Sequence, residues 1–315
     1  MRVAEMLPAL AREWNAEQAQ PEMAVRASQM NLVLHFGAGV NAEAAQAQWE
    51  GALALAQRYP CRIIILCSDA EAAPAAPWQG KLYLGCYVDE ARKERRCCEV
   101  LSLAYPPHGA SGLLENQLSV WKESDLPSYH WFCGIDPHEI NRRWLPLIAS
   151  CRRVLFDSSE VREDFDEVRW PLPQAVRDLA EARLLTTRQA LGQLLSGYEP
   201  RLLAEKLKEV RVRHAAHRCG EARHLLRWTK DCLEKCAAQT KVALAAEFVL
   251  EEAESDDFCL ALECRYATDE FIKWAHSRRG NGAQIETNLG GVVHVHPMRV
   301  PFPDLPHALA EALIF

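Results

Sequence analysis

The segment from Leu113 to Ser159 constrains the fold of this chain more than any other part of the sequence. In order, it contains an amphipathic helix, an Asp-Leu-Pro turn, an aromatic strand, a helix that begins at Asp136-Pro137, and a hydrophobic strand that ends in Asp-Ser-Ser. Aspartate is a favourable N-cap, and proline is favoured at the first helical position. Helices and strands that alternate in this way predict an α/β domain.

Two apolar runs upstream extend the same pattern. Met30–Phe36 and Arg62–Cys67 have the composition of buried strands, and Asn41 is placed to cap a helix between them. Strand, helix and strand in this order form a parallel βαβ unit. With two further strands expected at 81–88 and 96–104, we predict an N-terminal mixed sheet with flanking helices.

The sequence pattern changes at the Trp-Pro-Leu-Pro segment, because its two prolines disfavour a helix. We therefore predict an N-terminal α/β domain at 1–170 and a C-terminal α+β domain at 171–315. The second domain is expected to combine helices with a small, mostly antiparallel sheet. Its predicted helices are 174–195, 200–219, 222–237, 269–277 and 304–313, and its predicted strands are 242–250, 258–265, 284–288 and 292–300, with Asn288-Leu289-Gly290-Gly291 as a hairpin turn.

The composition is that of a soluble globular protein, with 49% hydrophobic and 25% charged residues. There is no run of about 20 apolar residues and no signal-peptide pattern at the start, so we expect a cytoplasmic protein with no membrane partner. The 12 cysteines include no CxxC pair, and many lie in apolar runs. This distribution favours reduced, buried thiols over a metal site or disulfides.

The net charge of −7 is unevenly distributed. Between Arg201 and Lys230, nine Lys and Arg stand against three Glu, a local charge of +6 on a segment that we expect to be helical. The simplest interpretation of this basic segment is a solvent-exposed face. The alternative is a surface that binds an anionic partner. Nucleic acid is not an expected partner, because the remaining acidic chain would repel phosphates.

A glycine-rich turn provides an alternative hypothesis about function. Gly37-Ala38-Gly39-Val40-Asn41-Ala42 follows a predicted strand, opens a helix and matches the dinucleotide-binding pattern G-x-G-x-x-A. The acidic partner for the ribose would be Asp69, which lies farther along the chain than the usual spacing of about 20 residues. On this alternative, Gly37, Gly39 and Asp69 would bind the cofactor of an oxidoreductase.

Other candidates for chemistry are isolated. His294 and His296 alternate along a predicted strand and share a face, but no third metal ligand is evident nearby. Ser111 misses the G-x-S-x-G pattern by one position. No nucleophile, base and orienting group occur together, so we assign no catalytic residue, no metal and no cofactor.

Several short motifs occur in the order seen in one known family. They are Arg26-Ala-Ser-Gln-Met-Asn-Leu-Val-Leu, Tyr59-Pro-Cys-Arg-Ile-Ile-Ile, SDLPSYHWF at 124–132, and CRRVLFDSS at 151–159. Over residues 26–160 the chain resembles the OpcA-type glucose-6-phosphate dehydrogenase assembly proteins.

This resemblance implies a non-catalytic protein that binds glucose-6-phosphate dehydrogenase, without a cofactor, and promotes its active oligomer. It also implies a set of partner-binding residues by motif match. They are Arg62, Asp125, Pro127, Trp131, Arg153, Asp157 and Ser158.

Overall fold

The structure is a computed structural model that describes residues 5–18, 24–25, 28–68, 78–89, 94–105, 111–160, 165–254, 257–277 and 282–315. The chain divides into two compact units. Unit 1 comprises Met1–Asp157, Val161–Leu179 and Leu305–Phe315, and unit 2 comprises Ser158–Glu160 and Ala180–Asp304. The division into domains at 1–170 and 171–315 stays a prediction.

Unit 1 is built on an eight-stranded mixed sheet, as predicted. Its strands are β1 (Ala24–Val25), β2 (Met30–Phe36), β3 (Cys61–Ser68), β4 (Gln79–Asp89), β5 (Glu94–Tyr105), β6 (Ser128–Cys133), β7 (Arg153–Phe156) and β8 (Val176–Asp178). The order is β1-β5-β3-β2-β6-β7-β8, and β4 pairs with β5. Every pairing is parallel except that of β4 with β5.

The helices of unit 1 follow from local signals in the sequence. They are α1 (Met6–Gln18), α2 (Ala42–Arg58), α3 (Ser111–Trp121), α4 (Pro137–Glu139), α5 (Leu145–Ile148) and, at the end of the chain, α10 (Leu305–Ile314). Asn41 caps α2 by accepting a hydrogen bond from Ala44 N at 2.8 Å, and Asp136 caps α4 by accepting one from His138 N. A π-helical turn separates α4 from α5, where Pro146 lacks the N–H of a regular helix.

Unit 2 is an α+β unit, with helices and a six-stranded sheet. The helices are α6 (Leu179–Arg183, whose first residue belongs to unit 1), α7 (Leu185–Leu195), α8 (Pro200–Ala204) and α9 (Cys219–Thr240). The strands are β9 (Leu207–His214), β10 (Glu247–Glu252), β11 (Phe258–Tyr266), β12 (Phe271–Ser277), β13 (Gly282–Asn288) and β14 (Val293–Arg299). Their order is β10-β9-β11-β12-β13-β14, antiparallel except for β10 with β9.

Two of the helices predicted for the second domain are wrong, and a third, predicted at 174–195, contains strand β8 before α6 and α7. The segment predicted as a helix at 269–277 forms strand β12, where Ile272, Trp274 and His276 are buried and alternate with more exposed residues. The segment predicted as a helix at 200–219 contains only the short α8 before strand β9, whose buried residues also alternate. In both segments buried residues alternate with more exposed ones, which is the period of a strand; the more exposed positions hold Arg211 and Arg213 in β9 and Lys273 in β12.

The basic segment is therefore not one helical face. Its charges are divided among α8, β9 and α9, and several of them pair with carboxylates of the same unit. Arg211 bonds to both Glu209 and Glu251, at 2.9 and 2.6 Å, and Arg218 bonds to Glu221 at 2.7 Å. The hairpin between β13 and β14 forms as predicted, with Gly290 and Gly291 at φ of +89° and +87°, where glycine is favoured.

The cysteines only partly follow the prediction. Ten of those in the described residues carry free thiols, but Cys97 of β5 is disulfide-bonded, so the expectation of reduced thiols throughout is wrong. None of the helices formed by the described residues has the length and apolar character needed to span a membrane.

A pair of histidines lies inside unit 1 on the neighbouring strands β2 and β6. His35 Nε2 and His130 Nδ1 share a hydrogen bond at 2.9 Å, and Phe132 and Trp144 surround the His35 ring at centroid distances of 4.6 and 4.9 Å. Burial lowers the pKa of His130 to about 3, and burial followed by the neighbouring His130 lowers the pKa of His35 well below its ordinary value. Both rings are therefore neutral in the folded chain at pH 7.

These shifts predict a loss of stability in mild acid. Below the ordinary histidine pKa of about 6.5 the unfolded chain binds protons that the folded chain does not, so stability falls as the pH falls towards 3. Each buried ring contributes about 1.4 kcal/mol per pH unit in this range. Replacing His130→Gln should therefore reduce the stability lost between pH 7.5 and pH 5 by about 2 kcal/mol. Urea unfolding at the two pH values measures the difference.

The matched control is His138→Gln, which replaces an exposed histidine of the same unit. It should leave the pH dependence of unfolding unchanged. An equal pH dependence in the wild type and His130→Gln would contradict the assignment of buried, neutral rings.

Candidate functional site

Four parallel strands of unit 1 begin side by side at one edge of the sheet, which we call the amino edge. The register pairs Met30 of β2 with Cys61 of β3, Asn31 with Ser128 of β6, and Tyr129 with Arg153 of β7. Four of the predicted partner-binding residues lie in or next to these strand beginnings. They are Arg62, Asp125, Pro127 and Arg153.

Arg62 is the centre of a buried polar network at the amino edge. Only 4% of the residue is exposed. Its guanidinium contacts the Glu99 carboxylate at 2.5 Å and the Glu123 carboxylate at 2.6 Å, and Nη1 donates to the Trp121 carbonyl at the end of α3 at 2.6 Å. The indole N–H of Trp14 also donates to Glu99. The network thus connects α1, α3, β3 and β5 in unit 1.

Asn31, which is fully buried, binds the backbone of the segment after α3. Its Nδ2 donates to the carbonyls of Glu123 and Leu126 at 2.9 and 3.2 Å, and its Oδ1 accepts from Glu123 N at 2.9 Å. Its own backbone N–H donates to the Pro127 carbonyl at 2.9 Å. One side chain therefore replaces several of the hydrogen bonds that a turn otherwise makes with water.

The segment held in this way is Lys122–Pro127, which we call the edge loop. A hydrogen bond from Leu126 N to the Glu123 carbonyl closes a turn at its centre. Pro127 fixes its own φ and favours an extended Leu126, which leads directly into β6. The side chains of Ser124, Asp125 and Pro127 are exposed. The edge loop is therefore a fixed, solvent-facing turn anchored by buried groups beneath it.

The other predicted partner-binding residues have different environments. Trp131 is fully buried, and Asp157 and Ser158 are nearly so, with exposures of 6% and 7%. Arg153 is half-buried and donates to the carbonyls of Ala312 and Phe315 at the end of α10. Among the seven residues, Asp125 and Pro127 are the ones with exposed side chains. A partner-binding role for all seven stays a prediction.

At the opposite edge of the sheet, the glycine turn after β2 packs against the turn after β6. Gly37 N donates to the Cys133 carbonyl at 2.9 Å, and a Cβ on Gly37 would lie 2.2 Å from the Gly134 carbonyl oxygen. Gly134 itself has φ of +58°, and a Cβ there would lie 2.5 Å from Val40 Cγ2. Gly37 is therefore required by packing within the chain.

The remaining residues of the dinucleotide pattern are less constrained. Gly39 has no atom within 4 Å of the position that a Cβ would take, and Asp69 lies outside the described residues. The two strand histidines His294 and His296 are exposed and their ring centroids lie 6.2 Å apart. Within the described ranges, no three His, Cys, Asp or Glu side chains are grouped as metal ligands.

Sequence reasoning identified Arg62 but missed the residues that hold it. Asn31, Glu99 and Glu123 bind Arg62 or the edge loop, and none was selected from the sequence. A signal was present for two of them, because Asn31 and Glu99 are polar residues inside the apolar runs Met-Asn-Leu-Val-Leu and Cys-Cys-Glu-Val-Leu. A buried polar residue in such a run needs a partner, although the sequence does not say which one.

Unit 1 is thus a mostly parallel α/β unit whose amino edge presents an anchored loop. The sequence model of a family described as "Glucose-6-phosphate dehydrogenase subunit N-terminal domain", of the OpcA type, matches residues 52–169 of the chain. The resemblance to the OpcA-type family predicted from the sequence is thereby confirmed. The matched segment includes Arg62 and the whole edge loop. A comparison with curated protein sequences gave no match.

The chain is also similar to solved structures, at low identity. Glucose-6-phosphate 1-dehydrogenase from Mycobacterium avium is 10% identical, with a TM-score of 0.48, and the alignment covers 90% of this chain and 86% of that one. A glucose-6-phosphate dehydrogenase in complex with glucose-6-phosphate is 9% identical, with a TM-score of 0.45 and coverages of 92% and 87%. The transcriptional regulator Gal80p of Kluyveromyces lactis is 8% identical, with a TM-score of 0.44 and coverages of 92% and 85%. These values are too low to transfer any activity to this chain.

The network at the amino edge predicts that the replacement Arg62→Met causes a large loss of stability. This change leaves the carboxylate of Glu99, which is 1% exposed, buried without its cation. Breaking a buried ion pair from one side costs about 3–5 kcal/mol of unfolding free energy. The double replacement Arg62→Met with Glu99→Gln should recover part of this loss, because the amide is neutral and still accepts a hydrogen bond from Trp14. Urea unfolding measures both variants. A double variant no more stable than Arg62→Met would contradict this account.

The glycine turn predicts different effects at its two glycines. Gly37→Ala forces a methyl group against a backbone carbonyl and should cost about 3 kcal/mol, the upper end of the range for overpacking. Gly39→Ala meets no atom and should change stability by less than about 0.5 kcal/mol. Thermal unfolding of the two variants compares them directly. Equal stabilities would show that Gly37 is not in the close backbone contact described above.

Proposed function

We propose that this chain is a non-catalytic assembly protein that binds glucose-6-phosphate dehydrogenase and promotes its active oligomer. The observation that carries the proposal is the edge loop, an exposed turn anchored by buried charges inside the segment that matches the OpcA-type family. The family description supports glucose-6-phosphate dehydrogenase as the partner, and the fixed, exposed edge loop supports a contact there.

The anchoring of the edge loop supports a role in recognition. Binding costs free energy when a loop must be ordered, and a loop that is already fixed avoids most of that cost. Here Asn31 and Arg62 fix the backbone and the Glu123 side chain, while Asp125 and Pro127 remain exposed. Contact residues carried on loops of a rigid scaffold are a common arrangement in binding proteins.

The chemistry of the exposed residues indicates what the contact would require from the partner. Asp125 offers a carboxylate and Pro127 a small rigid apolar surface. A basic side chain beside an apolar patch on the dehydrogenase would complement them, since opposite charges determine register and specificity at an interface. Promotion of the active oligomer then requires only that this chain bind the active assembly more tightly than the inactive one.

The alternative is a dinucleotide-binding oxidoreductase that uses Gly37 and Gly39. In its favour, the glycine turn does lie between a strand and a helix, as the pattern requires. Against it, Gly37 packs on Gly134, and the Ala44 N–H in the first turn of α2 already donates to the Asn41 side chain, so it is not free for a phosphate. We therefore favour the assembly protein.

The proposal predicts that Asp125→Lys weakens binding to the dehydrogenase at least about tenfold, a loss of about 1.4 kcal/mol. Reversing one charge at the contact should also reduce the activation of the dehydrogenase at a fixed concentration of this chain. The control is Glu115→Lys, which makes the same charge change at an exposed position of α3 in the same unit. Size-exclusion chromatography and steady-state kinetics of the mixed proteins measure both effects.

Two outcomes would contradict the proposal. If the wild-type chain neither co-elutes with the dehydrogenase nor changes its kinetic constants, the assembly function is wrong. If Asp125→Lys behaves like Glu115→Lys, the edge loop is not the contact. Turnover of a metabolite with NAD or NADP by the purified chain alone would favour the oxidoreductase instead.

A further inference from the structure

Unit 2 contains a cavity of about 340 Å³ between its helices and its sheet. Helices α7 and α9 form two of its walls, the start of α8 a third, and β11 with β12 the floor. Protein interiors are close-packed, and cavities much larger than a water molecule are few. The volume falls instead within the range of about 300–1,000 Å³ that is typical of small-molecule sites.

Small side chains account for the space. Gly192 of α7 faces Trp228 of α9, and a Cβ on Gly192 would still lie 3.9 Å from the nearest ring atom. Along α9 the wall continues through Cys232 and Cys236, one helical turn apart, where larger apolar residues would fill the gap. The cavity therefore arises from the residue types at these positions.

The lining offers almost no polarity to a ligand. The Tyr198 hydroxyl bonds to Thr287 Oγ1 at 2.8 Å, Thr229 Oγ1 donates to the Leu225 carbonyl at 2.8 Å, and Ser196 Oγ donates to the Gln193 carbonyl at 2.8 Å. These hydroxyl groups are already engaged within the unit.

The thiols at the cavity are also uncharged. Burial raises the pKa of Cys232 and of Cys236, and it raises that of Cys264 on the floor to about 12. At neutral pH the three groups remain thiols and behave as small apolar side chains. An ionised ligand would leave water here without gaining a compensating charge, which costs several kcal/mol.

We propose that this cavity is a binding site for a neutral, apolar small molecule about the size of two fused rings. A dry apolar cavity of about 150 Å³ is sufficient to bind benzene, so a cavity about twice that volume fits a bicyclic molecule. The site lies in unit 2, outside the segment matched by the family, and shares no residue with the edge loop. It is therefore independent of the proposed partner contact.

The test uses the full chain with naphthalene as the neutral probe and 2-naphthoate as the charged one. Naphthalene should raise the melting temperature and show intermolecular NOEs to the methyl groups of Leu195 and Leu233, which line the cavity. Naphthoate should bind at least about tenfold more weakly, because no Lys or Arg is among the lining residues to pair with its carboxylate. Absence of both signals with naphthalene, or equal binding of the two probes, would overturn the proposal.

Two variants that fill the cavity locate the binding. Gly192→Leu and Cys236→Phe should each abolish naphthalene binding, whereas the control Gly192→Ala, which adds one methyl group, should retain it. Gly192→Leu also replaces a helix-disfavouring residue, so this variant should remain folded. Unchanged binding in a folded filled variant would overturn the proposal, and the wild-type NOEs decide it if neither variant folds.

Discussion

The ion pair between Arg62 and Glu99 is the interaction on which the rest of unit 1 depends. Both side chains are almost completely buried, and each would be very costly without the other. Glu99 also accepts a hydrogen bond from Trp14 of α1. Arg62 also binds the Trp121 carbonyl at the end of α3 and the Glu123 side chain of the edge loop. The ion pair therefore determines where these three segments lie on the sheet. Buried charges of this kind stabilise the fold little in total, but they strongly disfavour any arrangement that separates them.

The two ends of the parallel strands differ in what packs there. At the carboxyl end, where nucleotides bind in many α/β proteins, the backbones of Gly37 and Gly134 pack against each other. At the amino end, buried polar groups are used to fix a loop whose own side chains face solvent. This distribution supports a scaffold that presents a surface, as we propose, since the Asn31 and Arg62 side chains hold the edge loop in place.

The sequence predicted β2 and β3 because most of their residues are apolar and buried, and it predicted α2 and α4 because each begins at a clear cap. β7 at Arg153–Phe156 and the caps at Asn41 and Asp136 are as expected. The edge loop was found through its motif, but its anchors were not, since Glu99 lies 37 residues from Arg62 and Trp14 lies 85 residues from Glu99. Such pairings depend on strand order, which local patterns do not contain. In unit 2, β9 and β12 alternate buried with more exposed residues, and this period of two was misread as helical.

The same alternation explains why unit 2 has one polar and one apolar side. On β11, Leu262 and Cys264 face the cavity, while Glu263 between them bonds to Arg265 and Lys273 on the other face. Because these charges pair within the sheet, they need no binding partner, and this face can remain exposed to water. On the apolar face, Gly192 and the α9 cysteines leave a cavity. The atoms that line it lack neighbours on one side and therefore lose dispersion contacts. A ligand that restores those contacts would stabilise unit 2 by an amount that rises with the logarithm of its concentration relative to its dissociation constant.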